Sequence, residues 1–254
     1  MGQRALFLGS KVDIAIERMR SFCPPEGHYL ACSFGKDSVV LLELAKMAGV
    51  KYEAHFHRST VDPPELIRFG KFHYPEVTLD RPPTSMFKLI LKEGCPPTRL
   101  MRYCCRIFKE GYGVGRVVLT GVRRAESQNR RNSKLVYTCP QLAKTTINPI
   151  LDWTDIEIWD FIHTRDIPYS SLYDEGFKRL GCIMCPNGYY KLRLREAERW
   201  PRFFLAYWRC FEKLAARGDR TWQSAEEVMR WWLEEKKWKG KDHELFAKLL
   251  DYTL

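Results

Sequence analysis

The sequence predicts an α/β protein with a doubly wound parallel sheet, followed by a helical C-terminal region. Predicted strands alternate with predicted helices from residue 10 to residue 120, the order that is typical of parallel sheets. The first strand is an uninterrupted apolar run, as expected for a strand that is buried on both faces. Beyond residue 150 the chain has helical periodicity and many aromatic residues, which favours helices there.

Apolar periodicity and glycine or proline breaks define the elements up to residue 120. In chain order they are a helix over residues 10–22, a strand Tyr29–Cys32, a helix ending at Gly49, a strand Lys51–His57, a helix over 65–72, a strand Val77–Leu79, helices Thr84–Lys92 and Arg99–Glu110, and a strand Arg116–Thr120. Ligands of doubly wound sheets bind beyond the carboxyl ends of the strands. We therefore expect functional residues after the first, second and fourth strands.

A helical pattern returns after residue 150. In the segment Leu151–Arg165, Thr154 is a predicted N-cap and Glu157 completes a capping box. Further helices are predicted over Leu192–Arg217, interrupted by Pro201, and from Ser224 through Trp238. The aromatic stripes of these helices favour a hydrophobic core over a surface that binds nucleobases.

The turn after the first strand, Ser33–Ser38, has the composition of a phosphate-binding loop. It leads into a helix, whose N-terminus offers unpaired backbone N–H groups and the positive end of the helix dipole. Gly35 permits close approach of a ligand to the backbone, and Lys36 adds a positive charge. The turn is not a Walker A loop, because the first glycine of that motif is missing. An ordinary polar turn is the alternative interpretation.

The candidate ligand contacts lie at the carboxyl ends of three predicted strands. They are Ser33, Phe34, Gly35, Lys36, Asp37 and Ser38 after the first strand, His57 and Asp62 after the second, and Gly121, Arg123 and Arg124 after the fourth. The two arginines begin a basic run that ends at Lys134, and arginine is suited to clamp phosphates bidentately. A solvated loop is the alternative interpretation of this run.

The formal net charge of +11 favours a polyanionic partner, and tRNA or DNA is the first candidate. A basic surface that serves only nucleotide phosphates or solubility is the alternative. No apolar run approaches about eighteen residues, so neither a membrane span nor a membrane partner is expected. The N-terminal residues lack the apolar core and cleavage site of a secretory signal, which predicts a cytoplasmic protein.

Four of the nine cysteines form two groups, Cys104-Cys105 and Cys182-x-x-Cys185. Clustered cysteines in a chain without a secretory signal point to metal or redox chemistry. An iron–sulfur cluster fits this set, whereas two adjacent cysteines span one small ion such as zinc poorly. Zinc, a thioredoxin-like redox pair and inert buried thiols are the alternatives.

Six segments together resemble the phosphoadenosine phosphosulfate (PAPS) reductase family of the PP-loop adenine nucleotide alpha-hydrolase superfamily. They are SFGKDS (33–38), CC (104–105), TGVRRAES (120–127), NPILDWT (148–154), IPYSSLYDEGF (167–177) and GCIMCP (181–186). The resemblance implies a Rossmann-like sheet, nucleotide contacts at Ser33–Ser38 and Gly121–Arg124, and a [4Fe–4S] cluster on Cys104, Cys105, Cys182 and Cys185. We accordingly expect a nucleotide-binding α/β domain over residues 1–150 and a helical region over residues 151–254 that carries the CxxC half of the cluster site.

Two features depart from the sulfate-reducing members of this family. Those members end in a mobile E-C-G-[LI]-H tail whose cysteine attacks sulfur, whereas the last cysteine here, Cys210, lies in a helix-like aromatic segment. The sequence Lys36-Asp37-Ser38 is also complete, as in family members that hydrolyse ATP to AMP and pyrophosphate. Both departures favour an ATP pyrophosphatase that adenylylates an acceptor for sulfur transfer.

In this interpretation Lys36 stabilises the departing pyrophosphate, Asp37 helps to hold Mg²⁺, and Arg123 or Arg124 holds the α-phosphate. The expected cofactors are ATP, Mg²⁺ and a [4Fe–4S] cluster. A cysteine desulfurase is the expected sulfur donor, and tRNA or DNA is the acceptor that the charge favours. The alternatives are a thioredoxin-dependent APS or PAPS reductase that forms a thiosulfonate on Cys210, and a non-catalytic nucleotide- or DNA-binding partner.

Overall fold

The computed structural model of the chain describes residues 2–218, 222–234 and 249. Its helices and strands, in chain order, are α1 (Gly2–Ser21), β1 (His28–Ala31), α2 (Lys36–Ala48), β2 (Tyr52–His57), α3 (Pro64–His73), β3 (Thr78–Asp80), α4 (Met86–Glu93), α5 (Tyr103–Cys105) continued by a π-helical turn (Arg106–Glu110), β4 (Val117–Leu119), β5 (Val136–Cys139), β6 (Lys144–Ile147), α6 (Asp155–Thr164), α7 (Tyr190–Arg199), α8 (Pro201–Ala215) and α9 (Ala225–Glu234).

The six strands form one sheet in the order β3-β2-β1-β4-β6-β5. All neighbouring pairs are parallel except β5 with β6, which are antiparallel. The chain builds outward from β1 to β3 and then crosses to β4 on the other side of β1, so the strand order reverses beside β1. This arrangement confirms the predicted doubly wound sheet, and it brings the segments that follow β1 and β4 together at one edge.

By its internal contacts the chain forms two compact units, each assembled from separate segments. The sheet unit comprises residues 1–57, 64–81 and 111–180, and the cysteine unit comprises residues 58–63, 82–110 and 181–254. The predicted domain boundary at residue 150 does not coincide with the boundaries of these two units. One reason is that α4, in the long connection from β3 to β4, packs on α8 of the C-terminal region. The division into folding domains stays a prediction.

The helix α2 shows how local sequence and burial agree. Its residues Val39–Leu42 are fully buried, as the apolar pattern requires. Gly49 adopts the left-handed conformation (φ 64°) that closes a helix with little strain for glycine, and its N–H bonds to the Lys46 carbonyl. The capping box of α6 is also confirmed, because Thr154 accepts a hydrogen bond from the Glu157 N–H and Glu157 accepts one from the Thr154 N–H.

One local prediction was wrong, and one structural element was missed. Residues Arg99–Glu110 do not form one helix, because a short helical turn starts only at Tyr103 and widens into a π-helical turn. The hairpin of β5 and β6 was not predicted at all. Its strands are short and polar at most positions, and its register depends on pairing with β4 instead of on alternating hydrophobic residues.

The C-terminal helices of the cysteine unit pack through aromatic residues, as predicted. Trp232 on α9 is buried between Tyr207 and Phe211 of α8, with ring centroids 4.7 and 5.3 Å away. The Trp232 indole N–H donates to the Pro97 carbonyl at 2.7 Å, which satisfies its buried donor. The part of the predicted last helix from residue 235 to Trp238 lies outside the described residues.

None of the helices that the structure describes has the length and the apolar character that are needed to cross a bilayer.

The loop after β1 is anchored by Phe34, which has a left-handed backbone conformation (φ 55°) and a buried side chain. Its ring stacks on Phe56 at 4.7 Å and lies against Gly70 in the middle of α3. A Cβ atom at Gly70 would come within 2.1 Å of that ring. The absence of a side chain at Gly70 is therefore what lets the loop insert its phenyl ring into the core.

We expect Gly70→Ala to destabilise the protein by about 2 kcal/mol or more, because the methyl group overpacks the Phe34 ring. Helix propensity alone predicts the opposite sign, since alanine is better than glycine inside a helix by about 1 kcal/mol. Urea unfolding measures the difference, and Lys71→Ala on the exposed side of α3 is the control. A Gly70→Ala protein more stable than the parent would contradict this packing.

Candidate nucleotide site and cysteine site

The Ser33–Ser38 loop joins β1 to the N-terminus of α2, as predicted. Its two serines brace it from within: the Ser38 hydroxyl donates to the Gly35 carbonyl at 2.9 Å and accepts from the Ser33 N–H at 3.1 Å. The loop is thus fixed by short-range bonds of its own residues. The first turn of α2 points its backbone N–H groups and the positive helix end toward this edge of the sheet, where an anion is stabilised.

Four charged side chains form a network beside the loop. Arg123 donates from Nε to Asp37 and from Nη2 to Asp155, both at 2.6 Å. The Lys36 ammonium lies 3.3 Å from the Asp37 carboxylate and 3.2 Å from that of Asp155. Two cations therefore share two carboxylates, and the sequence carries these residues on three separate segments.

Arg123 is the buried centre of this network, with a side chain only 1% exposed. Its Nη1 also donates to the Trp153 carbonyl at 3.1 Å, so every edge of the guanidinium has a partner. Burial disfavours its charge, but the Asp37 and Asp155 carboxylates outweigh burial and raise the pKa of Arg123. This arrangement differs from the predicted contact between Arg123 and an α-phosphate, and it makes Arg123 a residue that positions two carboxylates.

Asp155 differs from Arg123 in its exposure. Its side chain is 66% exposed although it accepts from Arg123 and Lys36. Burial acts to raise the pKa of Asp155, but the hydrogen bond from Arg123 and the charge of Lys36 prevail and lower it. Asp155 therefore stays ionised while one side of its carboxylate faces solvent.

Two further contacts fix the position of the loop. The Lys36 backbone N–H donates to the Tyr173 hydroxyl at 2.8 Å. Gly121, after β4, approaches the loop so closely that a Cβ atom there would lie 3.1 Å from the Asp37 carbonyl. A glycine at position 121 thus allows close backbone packing on the loop, and the predicted ligand contact of Gly121 stays a prediction.

The basic run after Arg123 is exposed and folds into two 3₁₀ turns, Arg124–Glu126 and Gln128–Arg130. Arg124 forms an ion pair with Asp152 and donates to the Ser133 carbonyl. The Arg124 side chain is about half exposed, so it differs from its neighbour Arg123 in both burial and surroundings.

His57 and Asp62 do not join the loop network. His57, at the end of β2, stacks on Tyr112 with ring centroids 3.6 Å apart and bonds to the Tyr29 hydroxyl at 2.8 Å. Asp62 belongs to the cysteine unit, where it accepts from the N–H and the hydroxyl of Ser59, both at 2.7 Å. Their predicted contacts with a nucleotide stay predictions.

The cysteine unit contains all four predicted cluster ligands, Cys104, Cys105, Cys182 and Cys185. None of the four forms a disulfide within the part of the chain that the structure describes. A hydrogen bond to Cys105, burial and the charges of the other three cysteines raise the pKa of Cys104. The two sequence groups, 76 residues apart, are thus within electrostatic reach of one another.

Two cations accompany these thiols. The hydrogen bond from Cys104 lowers the pKa of Cys105, and the Arg102 guanidinium acts in the same direction. Burial raises the pKa of Cys182, whereas the Lys109 ammonium opposes that effect. Arg102 and Lys109 flank Cys104-Cys105 in sequence, so this segment supplies both thiols and positive charge.

The donor chemistry of the four cysteines fits a metal group that binds thiolates. Among the residues described, no group of three or more His, Cys, Asp or Glu side chains is placed to hold one metal ion. The pKa of Cys104 responds to the charges of the other three thiols, and two cations act on Cys105 and Cys182. The predicted [4Fe–4S] cluster on these four residues stays a prediction.

Sequence reasoning missed Asp155, Tyr173, Arg102 and Lys109. Asp155 follows the recognised N-cap Thr154, where an acidic residue is common for helix stability alone, so no local signal marked it. Tyr173 lies in a turn-rich segment of the sequence, 137 positions from the residue whose N–H it accepts. Of these four residues, only Arg102 and Lys109 had a recognisable signal in the sequence, namely their positive charge next to Cys104-Cys105.

Comparison with known proteins places these features in a family. Residues 27–188, more than half of the chain, match the phosphoadenosine phosphosulfate reductase domain. Adenosine 5'-phosphosulfate reductase of Staphylococcus haemolyticus is 27% identical over 191 residues, which cover 68% of this chain and 76% of that protein. An uncharacterized protein of Methanocaldococcus jannaschii is 32% identical over 204 residues, which cover 74% of this chain and 49% of that protein.

Solved structures agree with the fold. PAPS reductase from Candida auris superposes with a TM-score of 0.51 at 20% identity, covering 72% of this chain and 96% of that chain. FMN adenylyltransferase of Candida glabrata gives a TM-score of 0.50 at 16% identity, covering 70% of this chain and 62% of that chain. The Rossmann-like PP-loop fold and the resemblance inferred from the motifs are confirmed.

The adjacent arginines Arg123 and Arg124 provide a matched test of the network, because each forms an ion pair with an aspartate. We expect Arg123→Ala to lower the free energy of unfolding by about 3 kcal/mol, since it strands the partly buried Asp37 and opens a cavity. Arg124→Ala should cost less than about 1 kcal/mol, as for other exposed ion pairs. Urea unfolding of both variants checks this, and equal losses would contradict the buried network.

Proposed function

The chain belongs to the phosphoadenosine phosphosulfate reductase family, and from this we propose that it acts at the α-phosphate of an adenosine 5'-phosphate derivative. The Ser33–Ser38 loop is the proposed phosphate site, since it combines a helix N-terminus, a small-residue turn and one lysine. The nucleotide that this loop favours is ATP, and the proposed reaction releases pyrophosphate and transfers AMP to an acceptor.

The observation that carries the choice of ATP is the position of Lys36 in the charge network. Arg123 holds both carboxylates at 2.6 Å, whereas Lys36 lies at the longer distances of 3.2 and 3.3 Å. Lys36 is therefore the cation that can leave Asp155 for a ligand without breaking the shorter bonds. A helix N-terminus binds one phosphate group without a lysine, so an added cation suits the extra charge of a triphosphate.

The proposed reaction is a substitution at the α-phosphorus. An acceptor oxygen attacks it, the bond to the bridging oxygen breaks, and pyrophosphate leaves with that electron pair. Lys36 and the N–H groups of the loop stabilise the charge that develops on the leaving oxygen. Arg123 holds Asp37 and Asp155 in place, and a sulfur nucleophile then displaces AMP from the acceptor.

Mg²⁺ has no assigned step in this proposal. Each Asp37 oxygen already has a cationic partner, Arg123 at 2.6 Å and Lys36 at 3.3 Å. Because both Asp37 oxygens are paired with cations, the loop does not fit a magnesium site. This differs from the sequence-based expectation that Asp37 helps to hold Mg²⁺. A magnesium ion would enter bound to the phosphates of ATP.

Cys104, Cys105, Cys182 and Cys185 are the residues that would hold the proposed [4Fe–4S] cluster. Such a cluster supplies an iron to which sulfide can bind, or it links two distant chain segments. The Arg102 and Lys109 side chains balance part of the thiolate charge, as the pKa shifts of Cys105 and Cys182 indicate.

Reduction of an adenylylated sulfate is the second candidate function, and the curated relatives support it, because several are adenosine 5'-phosphosulfate reductases. That reaction needs a thiolate that attacks sulfur. Cys210 is buried in α8, its thiol donates to the Phe87 carbonyl, and burial raises its pKa to about 12. The burial of Cys210 and its raised pKa therefore favour the ATP pyrophosphatase over the reductase.

The proposed function includes two macromolecular partners, an acceptor of AMP and a donor of sulfur. The net charge of +11 supports a nucleic-acid acceptor such as tRNA or DNA, and a cysteine desulfurase is the proposed sulfur donor. A protein that binds nucleotide without turnover is the remaining alternative, and product analysis separates it from both enzymes.

We expect Lys36→Ala to lower the conversion of ATP to AMP and pyrophosphate by about 10²–10³-fold, the loss typical of one transition-state charge contact. Mass spectrometry of products after anaerobic incubation measures it. The matched control is Lys46→Ala, at the other end of α2, where the lysine pairs with Glu43 and Glu76 and lies over the Tyr74 ring, away from the charge network, and it should retain parental turnover.

Different products identify the other candidates. Sulfite formed from adenosine 5'-phosphosulfate with thioredoxin, and lost in Cys210→Ser, would establish the reductase. Nucleotide binding in calorimetry without AMP, pyrophosphate or sulfite would establish the non-catalytic alternative. Either result would overturn the ATP pyrophosphatase.

For the cluster, we expect anaerobically purified protein to contain about four irons per chain and to absorb broadly near 400 nm. Cys182→Ser should lose most of the iron and lower the thermal stability, because ligation joins distant segments. Cys139→Ser, which changes a cysteine of the β-hairpin in the sheet unit, is the control and should keep the iron. Stoichiometric zinc in a colourless protein would contradict the proposal.

A further inference from the structure

A surface groove of about 770 Å³ lies between α3 and the segment that follows Ile167, within the sheet unit. Four aromatic side chains line it: Phe69, Phe72, His73 and Tyr169. None of these residues takes part in the charge network of the nucleotide loop. The groove is therefore a separate feature of the same unit.

Two of the four aromatic side chains, Phe72 and His73, are exposed, and Phe69 and Tyr169 are partly buried. Phe72 is 80% exposed, and His73 lies between it and Phe69, with ring centroids 4.8 and 5.0 Å away. A phenylalanine side chain that stays exposed does not contribute the roughly 1.5–3 kcal/mol that its burial would add to the stability of the fold. A cluster of exposed aromatic residues beside a groove marks an interaction site more than a packing requirement.

The charge of the groove specifies the class of partner. Arg68 and Lys71 line it with one acidic residue, Glu65, and the whole chain carries a net charge of +11. Aromatic faces combined with cations are the features by which proteins bind single-stranded nucleic acid, through stacked bases and paired phosphates. A protein partner would use the aromatic residues without needing the positive charge.

We propose that this groove binds a single-stranded stretch of nucleic acid. Its bases stack on Phe72 and Tyr169, and its phosphates pair with Arg68 and Lys71. The open shape suits a strand that enters and leaves the groove, and stacking tolerates any base sequence.

The two elements that carry the walls of the groove also contact the nucleotide loop, through residues that do not line the groove. On the α3 side, Gly70 packs against Phe34 of the loop. On the other side, Ser171 lines the groove and begins the 3₁₀ turn Ser171–Tyr173, whose last residue accepts a hydrogen bond from the Lys36 N–H. A strand in the groove thus lies one layer of packing from the loop. That it is the acceptor of the reaction rests on the proposed function, whereas binding does not.

The test measures fluorescence anisotropy of labelled 15-nucleotide DNA and RNA single strands with the full chain, without ATP. We expect Phe72→Ala to weaken binding about tenfold, the loss of one base–aromatic stack. Lys71→Glu should weaken binding and reduce the dependence of log Kd on log salt concentration by about one phosphate contact. Phe22→Ala and Lys51→Glu, exposed positions elsewhere in the sheet unit, are the controls and should bind as the parent does.

Three results would overturn the proposal: no binding of single strands at low salt, equal losses in the controls, or parental affinity in both groove variants. If binding is absent, sedimentation of the parent and of Phe72→Ala tests whether a second copy covers the aromatic residues. ATP conversion by the parent without nucleic acid is measured separately. Failure of the groove and failure of the proposed function are thereby distinguishable.

Discussion

The buried guanidinium of Arg123 is the constraint on which the candidate nucleotide site depends. A charge with a side chain only 1% exposed is tolerated only with close partners, and here they are Asp37, Asp155 and the Trp153 carbonyl. These partners come from the start of α2 and from the approach to α6, while Arg123 follows β4. One side chain therefore fixes three segments at the carboxyl edge of the sheet. Lys36 completes the network at longer distances, so it is the member best able to exchange a carboxylate for a ligand.

The same loop is held from its other side by packing instead of charge. Phe34 adopts a left-handed backbone conformation, which is strained for a residue with a side chain, and its buried ring compensates by filling the space above Gly70. The Tyr173 hydroxyl accepts a hydrogen bond from the Lys36 N–H at 2.8 Å. This bond and the Phe34 packing fix the backbone of the loop before any ligand binds. The groove beside α3 is lined by residues next in sequence to Gly70 and close to Tyr173, the two residues that contact the loop.

Sequence reasoning succeeded where the cause of a structure is local. Gly49 ends α2 because its left-handed conformation suits glycine, and Thr154 with Glu157 begins α6 through bonds three residues apart. It failed where the cause lies elsewhere in the chain. The pairing of Arg123 with Asp37, 86 positions away, and with Asp155 was not foreseen, because nothing in the neighbouring sequence reveals it, and the predicted phosphate contact of Arg123 stays a prediction. The β5–β6 hairpin was missed for the same reason, since its register follows from β4.

In the cysteine unit, by contrast, the interacting groups lie close together in the sequence. Cys104 and Cys105 lie within a few residues of Arg102 and Lys109, so the segment that provides thiolates also provides their counter-charges. Charge alone does not choose between zinc and an iron–sulfur cluster, because both are positive cores that stabilise thiolates. The charges of Cys105, Cys182 and Cys185 all act on the pKa of Cys104, so the two sequence groups share one electrostatic environment, and a positive metal core of either kind would lower the cost of ionising all four thiols.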